Sequence, residues 1–213
     1  MAVRPAFCIS DNQKIICKQI EFEWISGLSK AQKMKNADSL LHAITVKYPS
    51  AKPLEISTKG RVELGVKLSA FNLKYQGHYL ENIYQSSKVF ENGGAYRDLL
   101  DVTPKEAKKD ERLKNSGALK GFDFKGQTWA LEPKTAFYDF LYIQAVKASL
   151  TSEEIQEIKN YDYFTDIEFN PQKGISTQAR SVAEIRLMLG LFGEIPELTK
   201  DEFLKFYQAC VLD

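Results

Sequence analysis

Helix-start signals along the chain constrain its fold more than any other feature of the sequence. In a capping box, Ser or Thr precedes a helix and Glu or Gln follows three residues later, so that each side chain satisfies the other residue's backbone N–H group. This pattern predicts helix starts at residues 29–32, 103–106, 151–154 and 199–202. The first predicted helix runs for about 17 residues. The later part of the chain is therefore expected to be mainly helical.

The residues before the first helix alternate with the period of β-strands. Residues 3–9 and 15–24 are separated by a polar turn at residues 10–12, and in the second segment apolar residues alternate with polar ones. These features predict an antiparallel hairpin. Shorter extended segments are predicted further on, at residues 54–59 and 66–72.

Together these patterns predict an α+β fold with a helical majority and a small N-terminal antiparallel β element. We expect a single domain over residues 1–213, with a β-rich part at residues 1–75 and a mainly helical part at residues 76–213. The apolar helix at residues 137–148 is predicted to be its central core element. A chain of 213 residues that is 44% apolar and 27% charged belongs to the soluble globular class and can bury one large core.

The start of the sequence and its cysteines indicate a cytoplasmic protein. No run of eighteen apolar residues exists, and the first residues lack the apolar stretch of a signal peptide. We therefore expect no membrane association. Cys8, Cys17 and Cys210 are odd in number and widely spaced, so we interpret them as reduced, mostly buried thiols.

The segment 78–90 carries the most informative set of polar side chains. If it is a helix, it places Glu81, Tyr84, Gln85 and Lys88 on one face. A core-facing surface would be apolar, whereas an acid, a phenol, an amide and an amine together favour a helix that faces a cleft. A solvated, salt-bridged helix face is the alternative interpretation.

Two further features are weaker candidates for a site. Asp166 and Glu168 alternate with apolar residues, so an extended segment would aim both carboxylates the same way. A polar strand face that ends in a turn at Asn170 and Pro171 is the alternative. Trp129 follows a predicted hairpin and is either a core anchor or a ring that stacks on a base.

Several kinds of chemistry are not indicated by the sequence. His42 and His78 are too few and too isolated for a metal site, and neither a G-x-S-x-G context nor a phosphate-binding glycine loop is present. We therefore expect no metal and no cofactor, and carboxylates as the reactive groups. Because the net charge is only +1, DNA contacts would come from local basic clusters, at residues 30–35 and 105–114.

An ordered set of motifs resembles the NADAR family, the YbiA-like superfamily. These proteins carry an L-S-N-F-like turn, an E-x-x-x-Q-x-x-K helix, an A-K block and a later Trp, which match residues 68–72, 81–88 and 103–108 and Trp129. Further blocks look like one branch, the NADAR antitoxins encoded beside DarT-type DNA ADP-ribosyltransferase toxins, and they lie at residues 4–5, 22–24, 32–35, 54–59 and 164–171. The similarity spans nearly the whole chain.

The resemblance implies a NADAR/YbiA-like fold and an ADP-ribosylglycohydrolase that removes ADP-ribose from guanine bases of DNA, as the antitoxin to a DarT-type toxin. It implies that the Glu of the helix motif is essential, so Glu81 is the predicted catalytic residue. ADP-ribosylated DNA is then the substrate and ADP-ribose the product. The predicted substrate-binding residues are Arg4, Ser57, Lys59, Ser69, Phe71, Asn72, Tyr84, Gln85, Lys88, Trp129, Asp166 and Glu168.

Two alternatives stay open at this point. One is an N-glycosidase for a small metabolite such as a riboflavin precursor, as other members of the superfamily imply. The other is a non-catalytic protein that reads ADP-ribose or inhibits its toxin by binding. The antitoxin-branch motifs favour the DNA ADP-ribosylglycohydrolase over the metabolite enzyme. The presence of Glu81 favours a catalytic protein over one that only binds ADP-ribose. Neither feature decides whether the toxin is bound directly.

Overall fold

The computed structural model describes residues 1–27, 29–169 and 177–210 and confirms the predicted α+β class. Strands and helices alternate along much of the chain. The strands are β1 Ala2–Ile9, β2 Ile15–Phe22, β3 Pro53–Glu55, β4 Lys74–Tyr75, β5 His78–Tyr79, β6 Lys88–Phe90, β7 Gly93–Gly94, β8 Leu119–Phe124, β9 Gln127–Trp129 and β10 Tyr163–Thr165.

Four of the helices among the described residues begin at the predicted capping boxes. The helices are α1 Lys30–Lys47, α2 Glu63–Lys67, α3 Leu80–Ser86, α4 Pro104–Lys109, α5 Arg112–Asn115, α6 Ala136–Ser149, α7 Ser152–Glu157, α8 Gln178–Phe192 and α9 Lys200–Cys210. Short 3-10 turns lie at Arg97–Leu100 and Ile158–Asn160. The predicted boxes before α1, α4, α7 and α9 all form, with the Ser or Thr hydroxyl accepting from the backbone N–H three residues on.

The described residues form two compact units. Unit 1 comprises the described parts of Met1–Ser69 and Leu150–Asp213, and unit 2 is the continuous segment Ala70–Ser149. The expectation of one domain with an internal boundary at residue 75 stays a prediction. Within the described residues, no helix combines the length and the apolar character needed to cross a membrane.

The sheet of unit 1 has the strand order β2-β1-β10-β3. β1 and β2 form the predicted antiparallel hairpin, β10 pairs antiparallel with β1, and β3 runs parallel to β10. Helix α1 covers part of this sheet, and Ile20, Phe22, Leu40 and Ile44 meet in the core between them. Each of these side chains is at most 2% exposed, so their burial contributes most of the stability of this layer.

The sheet of unit 2 has the order β7-β6-β8-β9, and all of its pairs are antiparallel. β8 and β9 form a hairpin with Lys125 and Gly126 at the turn, both with positive φ. The predicted core helix is confirmed as α6, which buries most of its residues. Its Phe137 stacks on Phe122 of β8 with the ring centroids 4.5 Å apart.

Two predicted extended segments have a different structure. Residues 66–72 were expected to be a strand, but residues 63–67 form α2 and a turn follows. Leu64 and Leu68 are both buried and lie four residues apart, a spacing that fits one face of a helix as well as one face of a strand. The predicted strand at residues 54–59 ends at Glu55, because Ser57 accepts backbone N–H bonds from Lys59 and Gly60 and closes a turn.

The cysteine prediction is only partly right. All three thiols are free. Cys8 is buried in β1, but Cys17 is exposed and Cys210 is partly exposed. Burial raises the pKa of the Cys8 thiol, which keeps it protonated and unreactive at neutral pH.

Candidate functional site

The predicted site residues fall in both units, and each group is described by itself. Unit 2 contains seven of them: Phe71, Asn72, Glu81, Tyr84, Gln85, Lys88 and Trp129. Unit 1 contains the other six: Arg4, Ser57, Lys59, Ser69, Asp166 and Glu168.

Helix α3 fixes Glu81 in a defined position. The side-chain amide of Asn82 donates to the carbonyl oxygens of Leu99 and Val102 at 2.7 Å, which ties the first turn of the helix to the 3-10 turn and to the residues just after it. Glu81 is half-buried in that turn. Gln85 is only 6% exposed, and its Nε2 donates to Glu81 Oε1 at 2.7 Å. One carboxylate oxygen is thus held by a buried amide, as the predicted spacing of four residues requires.

Lys88 does not continue the helical face, so that part of the prediction is wrong. The hydroxyls of Ser86 and Ser87 donate to the carbonyl oxygen of Ile83, at 3.1 and 2.7 Å. Such side-chain bonds compete with the helical backbone pattern. The helix ends at Ser86, and Lys88 opens β6 opposite Phe122 of β8.

The Lys88 ammonium nevertheless remains close to the helix. Its Nζ lies 4.9 Å from the centroid of the Tyr84 ring, within the range of a cation–π contact. Burial lowers the pKa of Lys88, the negative charge of Glu81 opposes that change, and Lys108 adds to it. Glu81, Tyr84 and Lys88 therefore form one neighbourhood within unit 2.

Aromatic rings surround Tyr84 and Trp129 in different ways. Tyr84 is half-buried and packs on Phe122 at 5.4 Å between ring centroids. Trp129 is 1% exposed and packs against Phe137 and Phe140, with the nearer centroid at 4.8 Å. This burial favours the interpretation of Trp129 as a core anchor, and its role in substrate binding stays a prediction.

Phe71 and Asn72 both lie in an exposed turn. Phe71 is 55% exposed, and a single exposed hydrophobic residue does not by itself mark a binding surface. Its role also stays a prediction.

Glu55 is a buried acid of unit 1 that is not among the predicted site residues. It is 2% exposed and accepts three hydrogen bonds, from the Ser57 hydroxyl at 2.6 Å, the Thr165 hydroxyl at 2.6 Å and the Ile167 backbone N–H at 2.8 Å. Burial raises the pKa of Glu55 more than these bonds lower it. The available signal was an acid between the apolar residues Leu54 and Ile56, since a charged residue in such a run is rarely buried without a partner.

Asp166 lies in a turn, so the expectation of an extended segment with two parallel acids is wrong. β10 ends at Thr165, and the Asp166 side chain accepts from the Glu168 backbone N–H at 3.0 Å. The predicted turn at Asn170 and Pro171 lies outside the described residues. Burial, and next the charge of Glu55, raise the pKa of Asp166 to about 8. Asp166 is therefore mostly protonated at neutral pH.

Glu168 is the ionised acid of this group. Lys33 lies 2.6 Å from one of its oxygens and Lys59 lies 3.2 Å from the other. Burial alone would raise the pKa of Glu168, but the hydrogen bonds and charges of the two lysines outweigh it and lower that pKa. Two cations thus converge on one carboxylate, as phosphate-binding sites also require.

The remaining predicted residues of unit 1 are Ser57, Ser69 and Arg4. The Ser57 hydroxyl is 1% exposed and is used by Glu55. Ser69 is fully buried. Arg4 is half-buried on β1, with its guanidinium 5.3 Å from the centroid of the Trp24 ring.

The chemical groups of the candidate residues limit the kind of ligand that each unit can bind. No group of three or more His, Cys, Asp or Glu side chains that could hold a metal ion occurs among the described residues. Among the candidate residues, unit 2 offers a carboxylate, amides, a phenol and a lysine, and unit 1 offers carboxylates, hydroxyls, a lysine and an arginine. Groups of these kinds bind polar ligands.

The comparison with protein families gives the particular family. The model of the DarT1-associated NADAR antitoxins matches residues 2–211, and the chain belongs to that family. The resemblance inferred from the motifs is thereby confirmed. No curated protein sequence matches the chain.

Proposed function

We propose that this protein is an ADP-ribosylglycohydrolase that removes ADP-ribose from guanine bases of DNA and neutralises a DarT-type toxin in this way. The observation that carries the proposal is Glu81, a half-buried carboxylate held at 2.7 Å by the buried Gln85 amide, in a member of an antitoxin family. A carboxylate held at one oxygen has a fixed direction. Its other oxygen is then oriented for chemistry.

The reaction separates the anomeric carbon of ribose from a nitrogen of guanine. As that bond breaks, its electron pair leaves with the base and the ribose gains oxocarbenium character. Water adds its oxygen to the anomeric carbon from the opposite face, and its proton passes to a base and finally to the departing guanine. The products are guanine in intact DNA and free ADP-ribose.

Glu81 can assist this reaction in two ways. Its negative charge stabilises the positive ribose, and its free oxygen can orient and deprotonate the water. General-base catalysis typically gives about 10²–10⁴-fold, equivalent to roughly 3–6 kcal/mol of barrier. Gln85 is the positioning residue for the carboxylate. Lys88 and Tyr84, which lie beside it, are our candidates for contacts to the ribose or the base.

The proposed contacts in unit 1 follow from its charges. Lys59 and Lys33 share the carboxylate of Glu168, and we propose that a diphosphate can compete with this carboxylate for them. Asp166, as a protonated acid, can donate a hydrogen bond to a polar ligand. Neither role requires physical contact with the toxin.

The decisive experiment is Glu81→Gln. This change keeps the size and the hydrogen bond of the side chain but removes the charge that the positive ribose needs. Release of ADP-ribose from DNA carrying ADP-ribosyl-guanine should fall by at least about 10²-fold, while calorimetry should still detect ADP-ribose binding, since the lost interaction belongs mainly to the transition state.

Glu91→Gln is the matched control, because Glu91 is an exposed glutamate of the same unit whose carboxylate pairs with Lys120 at 3.6 Å. This variant should retain full turnover. Cells that express the toxin should survive with the control and die with Glu81→Gln at equal protein levels. If Glu81→Gln rescues them fully, the protein acts by binding instead of catalysis.

A further inference from the structure

The side of helix α3 that faces away from Glu81 lines a cavity. Glu81 and Gln85 share one face of the helix, whereas Ile83 and Ser86 lie about half a turn away. Ile83 and Ser86 line a cavity of about 360 Å³ whose lining residues all belong to unit 2. This volume is within the range of sites that hold small organic ligands. The proposed chemistry does not use it.

One wall of the cavity is aromatic. Tyr75 of β4 and Phe124 of β8 both line it, with ring centroids 6.3 Å apart and a tilt of 45°. Phe124 is buried, but Tyr75 is half-buried. A flat ring with one accessible edge or face is a surface on which a planar heterocycle can pack.

Cationic groups stand at the same cavity. Lys125, in the β8–β9 turn, donates to the Tyr75 hydroxyl at 3.1 Å, and its Nζ lies 4.8 Å from the Tyr75 ring centroid. An ammonium group has three N–H donors, so this bond leaves two for a ligand. Arg97 also lines the cavity and forms an ion pair with Asp123. The guanidinium has five N–H donors, of which that pair uses only a part.

His78 adds a polar group of defined orientation. Its Nδ1 lies 3.2 Å from the carbonyl oxygen of Leu100. A carbonyl oxygen only accepts, so Nδ1 is the donor and Nε2 is left for a ligand. The cavity therefore combines a π-face, two cations and one imidazole nitrogen.

We propose that this cavity binds one nucleotide of a single-stranded DNA segment, with the base on Tyr75 and the phosphate at Lys125 and Arg97. Aromatic rings beside lysine and arginine are the combination by which proteins hold single-stranded nucleic acid without reading its sequence. The proposal rests on the proposed function only in taking DNA as the substrate. The cavity would hold unmodified DNA near the reaction and would tolerate many sequences around the modified guanine.

The test measures the binding of a labelled, unmodified single-stranded oligonucleotide by fluorescence anisotropy. Tyr75→Leu removes the π-face and should weaken binding at least about fivefold, the lower end of what base stacking on one aromatic ring contributes. Tyr75→Phe keeps the ring and should bind within about twofold of the wild type. A parallel loss in Tyr75→Phe, or no loss in Tyr75→Leu, would overturn the proposal.

A second pair of variants separates a specific phosphate contact from general attraction. Lys125→Asn removes the cation and suits the positive φ of +53° at this turn. Lys120→Gln removes the same charge from an exposed position of β8 in the same hairpin. Only Lys125→Asn should reduce the salt dependence of log K, by about 0.7 in slope for one phosphate. If both variants reduce this slope equally, the attraction is a general effect of charge and the proposed phosphate contact at Lys125 is wrong.

Two further binding measurements complete the test. The first identifies the source of the nucleotide, and the second separates this proposal from the catalytic one. If deoxynucleoside monophosphates bind as tightly as the oligonucleotide, the occupant is a free nucleotide and the DNA proposal is wrong. Glu81→Gln should bind the unmodified oligonucleotide as tightly as the wild type does, because Glu81 does not line the cavity. The binding measurement therefore tests the cavity whether or not Glu81 is the catalytic residue.

Discussion

Glu55 and Asp166 are two buried carboxyl groups whose charges oppose each other. Glu55 is satisfied by three donors from Ser57, Thr165 and Ile167, whereas the charge of Asp166 is disfavoured by burial and by Glu55. Two nearby acids in a poorly solvated site do not both ionise easily. At neutral pH this part of unit 1 therefore holds a proton that the unfolded chain would release.

Asp166 should make the protein less stable as the pH rises. Its pKa is near 3.8 in an unfolded chain and about 8 in the folded protein. Between these values the folded state binds the extra proton, so this stabilisation is complete below about pH 4 and is lost as the pH rises through about 8. The free energy of unfolding should decrease by up to about 1.4 kcal/mol per pH unit for one proton.

Urea unfolding from about pH 5 to about pH 9 measures this slope. Asp166→Asn should make the decrease of the free energy of unfolding with pH smaller. A part of the decrease should remain, because the pKa of Glu55 is also raised in the folded protein. Near pH 9 the variant should be more stable than the wild type. Asp11→Asn, an exposed acid in the hairpin turn, is the control and should keep the slope. If Asp166→Asn keeps the wild-type slope, Asp166 is ionised in the folded protein.

The residues of the candidate site were predictable to different degrees. The Glu81–Gln85 pair follows from a spacing of four in a helix, which local geometry decides. Lys88 was misplaced because the Ser86 and Ser87 hydroxyls end the helix one turn early, and helix boundaries depend on such local competition. Glu55 was missed because its partners Thr165 and Ile167 lie 110 and 112 residues away in sequence.

At the scale of the elements, helix α2 approaches the backbone of strand β3 closely at Gly65. A Cβ at Gly65 would lie 2.2 Å from the carbonyl oxygen of Glu55 in β3, a distance that no real structure tolerates. Glycine is required at position 65 because a larger side chain would not fit against β3, and not because of its φ angle. The contact fixes α2 against the residue that organises the Asp166 turn.

Gly65→Ala should therefore destabilise the protein by about 1–3 kcal/mol, the usual cost of overpacking. Gly190→Ala in α8 is the matched control, because its Cβ would meet only the end of the flexible Arg186 side chain, at 3.4 Å. That variant should be neutral or gain up to about 1 kcal/mol from better helix propensity. Thermal unfolding of both variants distinguishes the outcomes, and equal stability would show that β3 shifts to accept the methyl group.

Elements with strong local signals were predicted well, and short ones were not. The capping boxes at Ser29, Thr103 and Thr151 form as expected because their bonds join residues three apart. Helix α2 and the short strand β3 have no such signal. Their structure is decided by contacts with distant parts of unit 1, which override local propensity.

At the scale of the whole molecule, the proposed reaction needs no metal ion. The described residues contain no cluster of His, Cys, Asp or Glu side chains suited to one, and the proposed mechanism uses Glu81 and water alone. Treatment with EDTA should leave the rate of ADP-ribose release from modified DNA unchanged. A large loss that added Mg²⁺ or Zn²⁺ restores would refute this mechanism.

The position of β10 in its sheet determines when the chain can finish folding during synthesis. β10 lies between β1 and β3, yet Thr165 is made 110 residues after Glu55. At typical rates of translation that interval lasts about 5–20 s, during which β1 and β3 emerge with unpaired edges that can aggregate. Unit 2 is continuous and is fully synthesised by Ser149. A chain truncated between residues 149 and 163 would thus contain the whole of unit 2 and lack β10, which leaves the sheet of unit 1 open.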